Sequence, residues 1–400
     1  MSTAVATAER AHALPARTLA WAGIALGLLA AFVTLPPALL RTPLPSLVLA
    51  LAAVAAGVYA VRGAERRLGW GGIMAGIAGG AGAVAATRTG EDGLDAVFVW
   101  SALIAAMLRF ATPLTLAALG GIVSERSGVV NIGLEGMMLM GALFGIVGAD
   151  LTGSWLAGLL LGMVAGGLLA LVHAFFAIQL RADQIVSGFA VNFLAIGITG
   201  YVFISRYGDQ GTPDGVPRVP DATLPGIEAI PFVGDAIGTA NLLTWLSLVL
   251  VVVMAVFLFR TPAGLRLRSV GENPRAAASA GLSVMRTRYL AVVASGLLAA
   301  MGGAYLSIGF LGSFNEQMTQ GRGFIALAAV IFGNWRPAGA LAAALLFGFS
   351  SALAQRLPEF SPSTATLFQA LPYVLTLIAV AGFIGRSRPP AAVGQPYVKE

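Results

Sequence analysis

Asn131 and Glu135 stand four apart in SERSGVVNIGLEGMM, so on a helix they would share a face in an otherwise apolar run. With Gly133 and Gly136 beside them, that face could hydrogen-bond a polar solute. An interhelical polar clamp is the equal alternative. Arg109, in LIAAMLRFATPLTL, is the other costly side chain. In lipid its charge would cost roughly 3 kcal/mol, so it should face protein or water. Glu135 is its natural partner for a structural or gating ion pair, although depth counting separates the two by roughly 9 Å. Pro113 removes the donor that the Arg109 carbonyl would otherwise receive. Asn192, one turn beyond Gly188, and Phe324, whose ring could stack on a flat solute, are further candidates for such contacts.

The absences are as informative. With no cysteine, disulfide, thiolate-zinc, haem-thiolate and iron–sulfur chemistry are excluded. The histidines, His12 and His173, are too few for a histidine-rich metal site, and no Ser–His–Asp set occurs. The only lysine is Lys399, whereas a phosphate-cradling GxxxxGK[ST] loop needs one inside its motif. No catalytic residue, metal or cofactor is expected, and any energy from ATP must come from another subunit.

The elements that carry these residues are set by hydropathy. Of 400 residues 58% are hydrophobic and 10% charged, far from a soluble composition. The 51 glycines and 20 prolines suit close helix contacts and breaks inside lipid. The expected fold is all-α, a polytopic bundle of about twelve membrane elements. They run at about 18–35, 44–61, 70–86, 99–121, 129–149, 155–178, 185–205, 243–260, 289–309, 323–334, 338–356 and 367–385. The element at 323–334 is too short for an ordinary span and reads as a broken or tilted helix. Most of the 24 basic residues fall on the side that holds both termini, which the positive-inside rule makes cytoplasmic. The net charge of +6 thus reflects topology and gives no reason to invoke nucleic acid. On the opposite side the long acidic segment 206–242 is either a loose connector or a cap over a translocation mouth.

Between two spans lies RTPAGLRLRSVGENPRAAASAGLSVMRTR, with six arginines against one acid, Glu272. Asn273 can cap a helix, Pro274 suits its first position, and Gly281 can take the left-handed turn that ends it. A helix this short cannot persist alone in water, so flanking spans, the membrane face or a partner must hold it.

The blocks ATPLTLAALGGIVSERSGVVNIGLEGMMLMGALFG, TPAGLRLRSVGENPRAAASAGLSVMRTRYLAVVASG and GRGFIALAAVIFGNWRPAGAL resemble, in this order, permease subunits of ABC importers for nucleosides and simple sugars. The guanosine and purine-nucleoside branch is the nearest match, related to ribose and branched-chain amino-acid permeases. The resemblance covers about residues 95–385 and implies a bacterial cytoplasmic-membrane importer working by alternating access. Residues 1–94 would then be an N-terminal extension with three extra spans, 95–385 the permease domain and 386–400 a cytoplasmic tail. It also implies a cytoplasmic ATP-binding subunit, a second permease subunit, homologous or identical, and an extracytoplasmic substrate-binding lipoprotein. Glu272, Asn273, Pro274, Arg275, Ala276 and Gly281 would form the ATPase-coupling segment. The rival reading is a stand-alone ion-coupled secondary transporter, for which Glu135 is the clearest buried acid.

Overall fold

A computed structural model describes residues 16–33, 44–63, 65–88, 99–223, 226, 228, 234–360 and 388–398. They divide into two compact units. The first holds α1 (Ala16–Phe32), α2 (Leu44–Arg62) and α3 (Arg66–Arg88). Its three helices pack through glycine: the Gly27 backbone lies against Ala75 and Gly76, and a Cβ on Gly57 would stand 2.6 Å from the Gly69 carbonyl. Ser46 donates to the Ala30 carbonyl at 2.7 Å and ties the start of α2 to the end of α1.

The second unit, from Ser101, begins within α4 (Trp100–Arg126). It continues through α5 (Leu134–Thr152), α6 (Trp155–Ala174) and α7 (Gln184–Tyr207). A two-stranded antiparallel ribbon follows, β1 (Asp221–Thr223) on β2 (Thr239–Asn241), with Asp221 opposite Asn241. Then come α8 (Leu242–Arg260), α9 (Pro262–Glu272), α10 (Pro274–Ser279), α11 (Val284–Ala304), α12 (Arg322–Phe332) and α13 (Pro337–Phe360), whose residues from Gln355 belong to the first unit. Both α6 and α11 end in π-helical turns, Phe175–Gln179 and Tyr305–Leu311.

Among the described residues, eight helices are long and apolar enough to cross a membrane; α1 and α12 are shorter apolar helices. The glycine-rich α3 is not one of the eight. The element expected at 367–385 lies outside the described residues. The span expected from 129 becomes helical only at Leu134, leaving 127–133 irregular.

The core of the second unit is α5 packed between α6 and α11. Their contacts place backbone on backbone: Gly158 against Gly145, Gly162 against Gly141, Gly166 against Gly296, and Gly303 against Met138. Small residues are what allow this, because apolar side chains gain little from leaving lipid and association relies on close packing. Gly158→Leu should therefore lower the thermal midpoint of the detergent-solubilised protein, at a cost of about 3 kcal/mol or more. Gly197→Leu, at a position with nothing within 4 Å, should leave that midpoint nearly unchanged.

Candidate functional site

Two helices start inside the bundle rather than at its surface, and their starts meet. The first is α5. Residues 127–133 enter from the end of α4 and turn at Gly128, whose φ is +94°. A backbone outside a helix cannot leave its polar groups bare in an apolar interior. Here neighbouring side chains answer them: Val130 N–H donates to Gln184 Oε1 at 2.7 Å, and the Val130 carbonyl lies 3.0 Å from His173 Nε2. Ser187 Oγ, 3.1 Å from His173 Nδ1, holds that imidazole in place. Asn192 closes the break: its Oδ1 accepts Gly136 N–H at 2.8 Å and its Nδ2 donates to the Ile132 carbonyl at 3.0 Å. It thus caps α5 from α7, eight residues or about 12 Å along that helix from Gln184.

The second is α12. Glu135, in the first turn of α5, accepts Gly321 N–H at 2.8 Å and Gly323 N–H at 2.6 Å through its two oxygens. Gly321, at φ +80°, is the residue that precedes α12. The first turn of α5 thus carries the carboxylate that accepts N–H groups at the start of α12, where the positive end of the helix dipole favours a negative charge.

Of the residues singled out from the sequence, Asn131 is fully buried and precedes the helix, so the four-residue spacing to Glu135 does not put both on one helical face. Its Nδ2 donates to Ser295 Oγ at 2.9 Å, joining the break to α11. Gly133 begins α5 pressed against Val191, with only 2.6 Å for a Cβ. Phe324 is exposed and pairs with Phe189, ring centroids 6.1 Å apart. The structure does not bring Arg109 and Glu135 together: Glu135 is held by α12, while Arg109 lines a cavity nearer the opposite end of α4. Pro113 sits in an unbroken α4, where Thr112 Oγ1 donates to the Leu108 carbonyl at 2.8 Å.

The arginine-rich segment folds as two capped helices. Thr261 accepts Gly264 N–H at 3.1 Å, with Pro262 next to it, and starts α9. Asn273 ends α9 and begins α10, its N–H donating to the Ser269 carbonyl at 2.9 Å and its Oδ1 accepting Ala276 N–H at 3.0 Å. Pro274 is the first residue of α10, and Gly281 reverses the chain after it at φ +82°. Ala277 alone of α10 is buried, against Val270 and Val284. Glu272, Asn273, Arg275, Ala276 and Gly281 are exposed, and Pro274 is half-buried.

With that geometry in place, the sequence matches the family described as branched-chain amino acid transport system / permease component over residues 103–380. The chain belongs to this family. It is 43% identical over 319 residues, 76% of this chain and 99% of the relative, to the guanosine ABC transporter permease protein NupQ of Bacillus subtilis. It is 37% identical over 307 residues, 74% and 96% of the two chains, to the nucleoside ABC transporter permease protein NupC of Lactococcus lactis subsp. cremoris. A second permease of that organism, the nucleoside ABC transporter permease protein NupB, is 26% identical over 246 residues, 59% and 67% of the two chains. No solved structure matches.

This permease also uses residues that sequence reasoning passed over. Residues 388–398 lie along α9 and α10: Ala392 N–H donates to the Gly271 carbonyl at 2.9 Å, Ala391 N–H to Glu272 Oε2 at 3.2 Å, and Gly394 N–H to the Gly128 carbonyl at 3.2 Å. Arg288 is almost fully buried and donates to the Ser127 carbonyl at 3.2 Å and the Gln395 carbonyl at 2.9 Å. Glu125, also buried, accepts Trp335 Nε1–H, while Arg126 donates to the Trp335 carbonyl at 3.0 Å and 3.2 Å. Glu125 and Arg126 lie within the quoted SERSG motif, but nothing local marks Trp335 as their partner.

Glu135→Gln should disturb the junction of α5 and α12, because an amide oxygen accepts one N–H and its NH2 then faces the other donor. We expect a loss of about 2 kcal/mol, read as a lower thermal midpoint together with faster proteolysis near Gly321. Truncation before Arg388 should leave membrane insertion intact and loosen α10, read as increased labelling of a cysteine placed at Ala277.

Proposed function

We propose that this permease is one of two transmembrane subunits of an ATP-driven importer, moving a nucleoside across a bacterial cytoplasmic membrane by alternating access. The observation that carries the reading is α10. It is capped at its start by Asn273, anchored through Ala277, backed by the chain terminus, and exposed along Glu272, Asn273, Arg275, Ala276 and Gly281. Such a piece can receive a push from a cytoplasmic ATP-binding subunit and pass it on without bending. The chain itself has its only lysine at Lys399, so hydrolysis belongs to that partner.

The relatives named for guanosine and nucleoside ABC transporters support the solute class, ahead of simple sugars. That NupC and NupB of one organism both match supports a second permease subunit that is homologous and distinct. An extracytoplasmic binding lipoprotein would deliver solute at the face opposite α10. With about twelve membrane elements, the positive-inside distribution supports both termini being cytoplasmic, which puts α9, α10 and the terminal tail on the ATPase side. The family match begins at residue 103, which supports reading residues 1–94 as an added extension with three spans. In this reading Glu135 and Asn192 keep the pathway's broken helices assembled, and nucleotide-driven movement of α10 shifts the balance between outward and inward states.

Because the natural chain has no cysteine, Ala276→Cys supplies a single crosslinking position. It should crosslink to the ATP-binding subunit with a yield that changes on adding ATP. Arg275→Glu should lower uptake of radiolabelled guanosine by roughly tenfold or more at unchanged membrane abundance. Uptake that survives without the ATPase and collapses with the ion gradient would establish a stand-alone carrier instead.

A further inference from the structure

At the end of the second unit opposite α10 lies a cavity of about 350 Å³. It opens between the first turns of α4, the β1–β2 ribbon, the start of α8 and the π-turn that ends α11. Its size is within the range of small-molecule sites. Two of its polar side chains are already committed. Asn241 Nδ2 donates to the Val219 and Gly309 carbonyls at 3.1 Å each, its Oδ1 accepts Leu243 N–H at 3.0 Å, and Thr244 Oγ1 lies at hydrogen-bond distance, 3.1 Å, from Thr112 Oγ1. Two are not. Among the described residues, neither the Arg109 guanidinium nor the Asp221 carboxylate has a hydrogen-bond or ion-pair partner. A charge on a membrane span is tolerated where it meets water or a polar ligand, and the cavity supplies that place for Arg109.

The remaining wall is aromatic. Phe310 lines the cavity with its ring nearly parallel to that of Tyr305, at 8° and 6.5 Å between centroids, and Phe110 meets it edge-on at 6.1 Å. The π-turn sets this arrangement, and such turns recur at functional sites. A flat apolar ring, backed by two others and set in one cavity with an unspent guanidinium and an unspent carboxylate, matches a planar heterocycle with a donor–acceptor edge.

We propose that this cavity is an outer dwell site for a purine nucleoside, occupied after release from the binding protein and before passage. The base lies on Phe310. Arg109 donates to the acceptors of its edge, as arginine does to guanine O6 and N7. Asp221 accepts from ring or exocyclic N–H. The proposal rests on the nucleoside reading above, and its test separates the two.

The assembled importer, with its ATP-binding subunit, second permease and binding protein, would be photolabelled in proteoliposomes with 8-azidoguanosine and the label mapped. We expect label on the peptide holding Tyr305–Phe310, displaced by guanosine and not by glucose. Phe310→Ala should raise the guanosine concentration for half-displacement by about tenfold, and Phe310→Trp should restore it. Asp221→Asn should weaken displacement by guanosine more than by inosine, which lacks the exocyclic amine. Recovery of each variant in the assembled importer at wild-type amounts reports that it is folded, and the near-isosteric Asp221→Asn keeps the test decisive where Phe310→Ala fails to assemble. If the importer carries guanosine but label falls elsewhere, or these variants displace like wild type, the dwell site is wrong and the nucleoside reading stands. If it carries glucose and no nucleoside, both fall.

Discussion

A backbone that leaves the helix inside an apolar bundle must have its freed N–H and C=O groups answered by protein, because no water is there to answer them. This permease meets that demand around the starts of α5 and α12 with side chains from neighbouring elements. Gln184 and His173 take the Val130 amide and carbonyl, Asn192 takes Gly136 and Ile132, and Glu135 takes Gly321 and Gly323. Remove those partners and neither α5 nor α12 has a reason to start where it does. The close glycine contacts of α5 with α6 and α11 depend on the same start, since a register shift in α5 would put side chains where backbones now touch.

The second dependence is at the α10 end. There the chain terminus, α9, the 127–133 segment and the turn before α13 share hydrogen bonds rather than only surface. Arg288 joins the first of the irregular residues to the tail, and the Gly271 backbone packs directly on that of Arg126. Arg126 and Arg268 both lie over the Phe259 ring, at 5.8 Å and 5.1 Å, linking α8 to the same cluster. Six residues of helix with one buried side chain would not be rigid alone. What makes α10 a rigid element is this surrounding frame.

The features read correctly from the sequence are those set by local chemistry. Cap residues act within four positions, so Asn273, Pro274 and Gly281 could be read from the sequence, and apolar runs marked most span limits to within a few residues. The Thr261–Pro262 pair carries the same start signal as Asn273–Pro274, yet α9 was masked by its arginines, which resemble a surface loop. The Arg109–Glu135 pairing failed for a different reason. It treated both residues as needing charge partners, whereas a carboxylate between two helix N-termini is satisfied by backbone N–H groups far away in sequence. The use of both Asn192 amide ends on the backbone of α5 is likewise non-local. The docking of residues 388–398 has no periodicity or motif to announce it.

These two regions are continuous. From α10, Val270 and Gly271 of α9 reach Arg126; Ser127, held by Arg288, leads into the irregular residues; and those end at Gly133, where α5 begins and Glu135 grips α12. The first step is the buried side-chain contact of Ala277 with Val270, and those beyond it are the Gly271 backbone packed on that of Arg126 and the hydrogen bonds of Arg288 and Glu135. Close-packed interiors transmit strain instead of dissipating it. The path ends at the junction of α5 and α12, where two helix ends are joined by the Glu135 carboxylate and by the Gly323 backbone packed on that of Glu135, and not by continuous chain. A bundle of unbroken spans would resist the same push as a whole; a bundle with two interrupted helices can yield at the interruption, which is a physical reason for it to carry polar residues this deep.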